Sequence, residues 1–457
     1  MQLSLLLAIV AAIAVSENAP AHPVSFAGAR LTLAVLGIAT VLIFAAASSF
    51  TVSRALRDLR ADQDQRWWLL WFARLKRVHQ ALWLAIGGGI LYALDWPQLV
   101  RYNWGLDGFL LIEDLLILAP VWMPLLLSWA AFYEVERVLQ GTARCNSTSP
   151  PPVRRASYVW LQARTHLGLC VLPVLILLLF QDTVSLVDPA WEDHEQAWVI
   201  FLLPIAGLTL AFPQLLSTIW KTTPLPDGQL RQRLTRLAGK LGVRCRDFRV
   251  WHTNGQVMNA AVAGILPNTR YVFLTDALLE FLDEEEIAAV VVHELGHVQR
   301  RHLLLRLLLL ALPVWILGCL RIFHPQVEQY LDQVLAQAGT TTTAIQCFLL
   351  PGLVIAYAIL VLGRYSRLLE HDADLCVHQA GHGPEFVGAL WKLAALSGTS
   401  TKRSTWLHPS SAERIQSLRD AILHPETVSR FRHRVRGTNL ALLGCFLCVP
   451  ALLALFA

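Results

Sequence analysis

The sequence predicts an α-helical polytopic membrane protein that carries an α+β domain on its cytoplasmic side, split in two by a transmembrane hairpin. Three observations predict it. Over 457 residues, 55% are apolar and only 16% charged, and the mean hydropathy is positive, a composition of bilayer proteins rather than soluble ones. Apolar runs of bilayer length recur along the chain. The loops between them alternate between basic and Lys/Arg-poor.

The expected spans are 31–50, 79–96, 109–133, 166–181, 197–218, 303–322, 345–363 and 438–457. The opening run MQLSLLLAIVAAIAV is apolar but lacks the positive flank of a secretory signal. It reads as an extra span, with a cleaved signal as the alternative. Segments 51–78, 134–165, 219–302 and 364–437 are basic, whereas 97–108, 182–196 and 323–344 are poor in Lys and Arg. The positive-inside rule places the basic segments in the cytoplasm. The resulting organisation is an N-terminal apolar segment (1–29), a region of about five spans (30–220), a first soluble piece (221–302), a hairpin (303–363), a second soluble piece (364–436) and a last span (437–457).

Smaller features have plain structural readings. Arg66-Trp67-Trp68 and its neighbours Trp71, Phe72, Arg74 and Lys76 suit an interfacial helix. PPPV at 150–153 is a linker. Glu113 and Asp114 fall near the outer end of a span. The eight cysteines show no disulfide framework, and the pair Cys445/Cys448 sits in an apolar run. No nucleic-acid module is present, because membrane topology explains the basic loops.

The soluble pieces mix α and β. PDGQLRQRLTRLAGKLGV is an amphipathic helix, while DFRVWHT, MNAAVAGI and RYVFLT read as strands, with LPN as a turn. DEEEIAAVVVHELGHVQRRH opens with acids and closes with bases, which suits a helix dipole.

Within it lies HELGH. On a helix His293 and His297 share one face, so two imidazoles can hold one Zn2+, and Glu294 beside them can serve as general base. Zinc in such a set lowers the pKa of water to about 7 and leaves a position open for substrate. Gly296 costs a helix about 1 kcal/mol against alanine, which suggests that a strand or substrate approaches there. Gln299, Arg300, Arg301 and His302 read as markers of the membrane boundary. A third ligand has no upstream candidate. After the hairpin, RYSRLLEHDADLCVHQAG puts Glu370 and Asp374 four apart on one face. One carboxylate can ligate and the other orient a histidine, with His371, Asp372 and His378 as competitors.

HELGH, then E-x-x-x-D beyond a hairpin, then HPSSAERI resembles the membrane zinc metallopeptidases that include the type I CaaX prenyl proteases and the heat-shock membrane proteases. NAAVAG at Asn259 resembles their N-A-F/Y edge strand, and RYVFLTDALLEFLDEEEIAAVVVHELGH their strand-then-helix entry. The resemblance covers about 219–300 and 364–420. It implies a zincin-like catalytic domain with one Zn2+ per chain, held by His293, His297 and Glu370. It further implies Glu294 as base, Asp374 as orienter, Asn259 and Ala260 as the substrate-pairing strand, and His408 and Arg414 at the substrate or its oxyanion. Ala261 and Val262 replace the family's aromatic, and the first and last apolar segments have no counterpart.

The implied protein is a multi-pass membrane endopeptidase, in the cell membrane if bacterial, that cuts protein or peptide substrates at the cytoplasmic bilayer surface. Protein quality control is the leading role. CaaX prenyl-protein processing and a signalling role of the β-lactam-sensor type are the alternatives, and a non-catalytic scaffold is disfavoured because no site residue is lost. The sequence carries no signal for oligomeric state.

Overall fold

The computed structural model describes residues 2–17, 19–58, 66–142, 154–191, 197–255, 257–327, 330, 333, 350–396, 404 and 407–455. The expected linker at 150–153 and the start of the span 345–363 lie outside them. The chain forms two compact units, Met1–Leu208 with Thr343–Pro351, and Thr209–Thr342 with Gly352–Ala457.

The first unit is helical. Ala27–Asp58 buries Ala34, Val41, Ala45, Ser48, Ser49, Val52 and Ser53, a stripe of small residues at helical spacing. Such a stripe lets backbones approach closely, and the helices Ala119–Thr142 and Arg66–Ala93 pack against it. Trp83 is buried among them and donates its indole N–H to the Val121 carbonyl at 2.9 Å. Glu113 pairs with Arg101.

Among the described residues, five helices are long and apolar enough to cross a membrane: Ala27–Asp58, Arg155–Val187, Leu202–Ile219, His302–Leu320 and Glu426–Leu455. The expected span 79–96 overruns the helix Arg66–Ala93 that holds most of it, and there Arg74, Lys76, Arg77 and His79 dilute the apolar character. The helix runs unbroken from Arg66, so the tryptophan cluster forms its first turns rather than a separate interfacial helix. The expected span 109–133 is broken at Leu118 into Ile112–Ile117 and Ala119–Thr142.

The second unit holds a four-stranded sheet of β1 (Thr222–Pro224), β2 (Asp247–Trp251), β3 (Ala260–Ala263) and β4 (Tyr271–Thr275), in the order β1-β2-β4-β3. The β2/β4 pair is parallel and the other two are antiparallel, with Ala260 opposite Leu274. The brief β1 was not expected from sequence. The helices of this unit include α1 (Gln229–Lys240), α2 (Asp276–Phe281), α3 (Glu284–Gln299), α4 (His302–Phe323), α5 (Gly363–Gln379), α6 (Gly383–Leu396), α7 (Ser411–Leu423) and α8 (Pro425–Leu455).

The central helix is α3, which packs on α5, α6, α1 and β3. Asp283 and Glu286 close a capping box at its start, a device worth about 0.5–2 kcal/mol. Ile287 to His293 and Leu295 to His297 are all buried, so the middle of the helix lies in the core. Phe248, Val272, Leu274, Val291, Leu295, Val377 and Phe386 form the core around it. The helix stops where Arg301 takes a left-handed conformation (φ 57°), and α4 starts at the next residue. This second helix packs along α8, through Leu305, Leu309 and Leu442.

Candidate metal centre

Because the middle of α3 is buried, its two histidines enter the core, where a polar ring must find partners. His293 Nε2 and His297 Nε2 lie 3.3 Å apart. One turn of α5 places Glu370 opposite, with Oε2 at 3.5 Å from His293 Nε2 and Oε1 at 3.4 Å from His297 Nε2. The two imidazoles and the carboxylate are all buried, and each offers a donor atom within 4.8 Å of the others. Tetrahedral zinc with bonds of about 2.0–2.1 Å sets its donors about 3.3–3.4 Å apart, so these residues fit the ion.

Each donor is held from behind. Asp374 Oδ1 accepts from His293 Nδ1 at 2.9 Å, and the Arg414 guanidinium grips Asp374 with bonds of 2.6 and 3.0 Å. Arg414 also stacks over Phe386, 5.2 Å from the ring centroid. Glu370 receives Arg306 Nη2 at 2.9 Å and His408 Nδ1 at 3.0 Å. His297 Nδ1 lies 2.9 Å from His302 Nδ1, and His302 Nε2 is 3.2 Å from Asp372 Oδ2.

The electrostatics divide the two ligand histidines. Burial and the Arg414 charge push the His293 pKa down, but its bonds to Asp374 and Glu370 outweigh them and raise it to about 9. Burial and the neighbouring His293 charge hold His297 well below the usual imidazole range. The pair therefore shares one proton, carried by His293. Burial acts to raise Glu370, yet the bonds from His293 and His408 hold its carboxyl far below the ordinary range. Asp374 is likewise lowered, with the Arg414 charge overcoming burial. Glu294 is raised, chiefly by desolvation, with the His293 charge opposing.

A cavity of about 390 Å³ opens over this triangle. Glu294, His293, His297, Glu370, His408 and Arg414 line it, together with Asn259 and Ala260 from β3. The outer edge of β3 carries no strand among the described residues. Asn259 is tied to the sheet end, its N–H donating to Thr275 Oγ1 at 3.0 Å and its carbonyl accepting Thr275 N–H at 3.1 Å.

All nine residues singled out from sequence therefore border one cavity or, for Asp374, a residue of its wall. The competing ligands stand elsewhere: His371 faces Phe431, His378 lies beside Gly383, and Asp372 reaches His302. Gly296 is approached by neither strand nor substrate but by α5, since a Cβ there would lie 3.1 Å from Cys376 Cβ. Two site residues escaped sequence reading. Arg306 was visible as a lone cation in a leucine run, a pattern that marks function in membrane segments. His302, set aside as a boundary residue, is 0% exposed.

Residues 224–422 match the sequence model of peptidase family M48. This stretch is similar to an M48 peptidase domain. The chain is 28% identical over 237 residues to "CAAX prenyl protease 1 homolog" of Arabidopsis thaliana, covering 48% of this chain and 54% of that protein. It is 28% identical over 189 residues to "Protease HtpX homolog" of Helicobacter acinonychis, covering 37% of this chain and 60% of that protein. The matches thus span little more than half the length of these curated relatives. The crystal structure of S. mikatae Ste24p aligns with a TM-score of 0.49 and 16% identity, over 87% of this chain and 99% of that one. The matched stretch contains His293, His297 and Glu370 and every residue that lines their cavity.

Proposed function

We propose that this chain is a membrane-integrated zinc endopeptidase that hydrolyses peptide bonds of membrane or membrane-proximal proteins on the cytoplasmic side, in protein quality control. The observation that carries the reading is the His293–His297–Glu370 set sharing one cavity with Glu294 and with the edge of β3, which carries no further strand among the described residues. When bound, Zn2+ would polarise the scissile carbonyl and acidify water. An extended substrate adds to β3, whose backbone holds it whatever its side chains. Glu294 takes a proton from the attacking water and returns it to the leaving amine, a task its raised pKa suits. His408, with its side chain 55% exposed, faces the cavity and contacts the substrate oxygen. Arg414 stays on Asp374 and steadies His293 from behind. The apolar helix α4 starts at the cavity rim through Leu303 and Arg306, which brings the reaction to the bilayer surface.

A second reading is cleavage of prenylated proteins. It is favoured by the relatives named as CAAX prenyl proteases, which match over a longer stretch than the HtpX homologues. A mostly apolar pocket of about 230 Å³ beside His408, lined by Leu303, Leu307, Leu310 and Leu362, has room for an isoprenoid segment.

The deciding experiment compares detergent-purified wild type with Glu294→Gln for zinc content and casein cleavage. The proposal expects about one zinc in each and turnover lowered at least 10²-fold in the variant. Proteolysis that survives in a zinc-replete Glu294→Gln preparation removes Glu294 from the mechanism. Zinc without casein cleavage in wild type shifts the choice to the prenyl-protein reading.

A further inference from the structure

His297 and His302 are five residues apart, a spacing that on one continuous helix would put them on different faces. The break between α3 and α4 changes this. Arg301 adopts a left-handed backbone at φ 57° and ψ 29°, rare for a residue with a side chain, and turns the chain back so that His302 meets His297. The two rings lie edge to face with centroids 5.0 Å apart. His302 is 0% exposed and the Asp372 side chain 2%. Arg300 Nη1, 3.3 Å from Asp372 Oδ1, holds the far end of the chain of contacts.

With His302 neutral, the donors and acceptors along this chain fall in one order. Asp372 is a carboxylate and only accepts, so His302 presents a proton on Nε2. A neutral imidazole protonated there has its lone pair on Nδ1. That lone pair accepts the Nδ1–H of His297 at 2.9 Å. His297 is then left with its own lone pair on Nε2, the atom that faces His293 and Glu370. Asp374 does the same for His293 directly, through Nδ1 at 2.9 Å.

We propose that His302 and Asp372 are positioning residues that fix His297 in the tautomer and ring orientation whose Nε2 lone pair points into the donor triangle. They act on the metal through His297 and touch neither metal nor substrate. The inference rests on the zinc reading above. Partners of this kind behind a ligand histidine change metal affinity by about 10–100-fold.

The test is a zinc titration of the full chain in detergent, after stripping, against a chromophoric chelator. The set is wild type, His293→Ala, His302→Phe, His302→Gln, Asp372→Leu and the double variant His302→Phe/Asp372→Leu. His302→Phe keeps the ring volume but offers no acceptor. It should weaken zinc binding by about 10–100-fold while the metal-free protein melts as wild type does. His302→Gln, with an acceptor and a donor on one side chain, should recover part of the loss. The double variant should bind zinc no more weakly than His302→Phe, because Asp372 acts only through His302. Wild-type affinity in His302→Phe, or an additive loss in the double variant, overturns the inference. Should His302→Phe fail to fold, Asp372→Leu decides: weakened zinc supports the relay and unchanged zinc overturns it. Wild type that binds no zinc brings down the metallopeptidase reading and this inference together. Zinc lost in His293→Ala but untouched in His302→Phe brings down this inference alone.

Discussion

His293 and His297 are the same residue type on the same helix face, yet the fold treats them oppositely. His293 faces Asp374 and keeps a proton to about pH 9, whereas His297 is held neutral by burial and by its neighbour's charge. The sign of the linkage follows. An unfolded histidine titrates near 6.5, so the proton on His293 stabilises the metal-free fold fully below about pH 6.5, and that contribution is lost as pH rises through about 9. Zinc must displace the same proton. Calorimetric titration near pH 7.5 in two buffers of different ionisation enthalpy should therefore show release of about one proton per zinc, and affinity should climb up to about pH 9. A binding enthalpy independent of the buffer counts against this. Arg414→Lys is a second test at this scale. Lysine keeps the charge but cannot grip Asp374 in two places, so zinc affinity should fall by about tenfold or more. An unchanged affinity would mean that charge alone suffices. At this scale the sequence was legible where one helix sets the spacing. His293, Glu294 and His297 needed only the period of an α-helix, whereas the same period left Glu370 and Asp374 in competition with His371, Asp372 and His378, and only the family resemblance chose between them. His302 was not legible, because its place depends on a left-handed backbone at Arg301 that no periodicity announces.

At the scale of elements, the site is the seam between α3 and α5. Gly296 allows it, since any side chain would meet Cys376 and the Ala373 carbonyl. Gly296→Val should force the helices apart, cost about 1–3 kcal/mol and weaken zinc binding by displacing Glu370. A variant of wild-type stability and zinc content would show that the seam has slack. The helix itself was plain in the sequence, with acids at its start and bases at its end, and the structure adds a capping box from Asp283 to Glu286. So were β2, β3 and β4, whose apolar residues alternate or cluster between turns. The strand β1 was hidden because Thr222–Pro224 has three residues and includes a proline, with nothing apolar to mark it. The apolar helices were easier to find than to delimit. Hydropathy sees the leucines of 79–96, but the helix that contains them starts at Arg66 among charges.

At the scale of the molecule, zinc would tie together two stretches that are distant in the chain. His297 closes α3, and Glu370 lies in α5 beyond an apolar helix long enough to cross a membrane. Removing the metal should loosen this seam before anything else. Amide exchange in Gly363–Gln379 should speed up after chelation, while exchange in Ala27–Asp58 stays as it was. Equal change in both helices would argue that zinc is no clamp. The arrangement also has a consequence in time. Glu370 follows His297 by roughly seventy residues, so at about 5–20 residues per second it leaves the ribosome several seconds later. Arg414, which holds Asp374 in place, comes later still. During synthesis the two histidines therefore wait without their third donor, and the donor set stays incomplete until the later stretch has emerged.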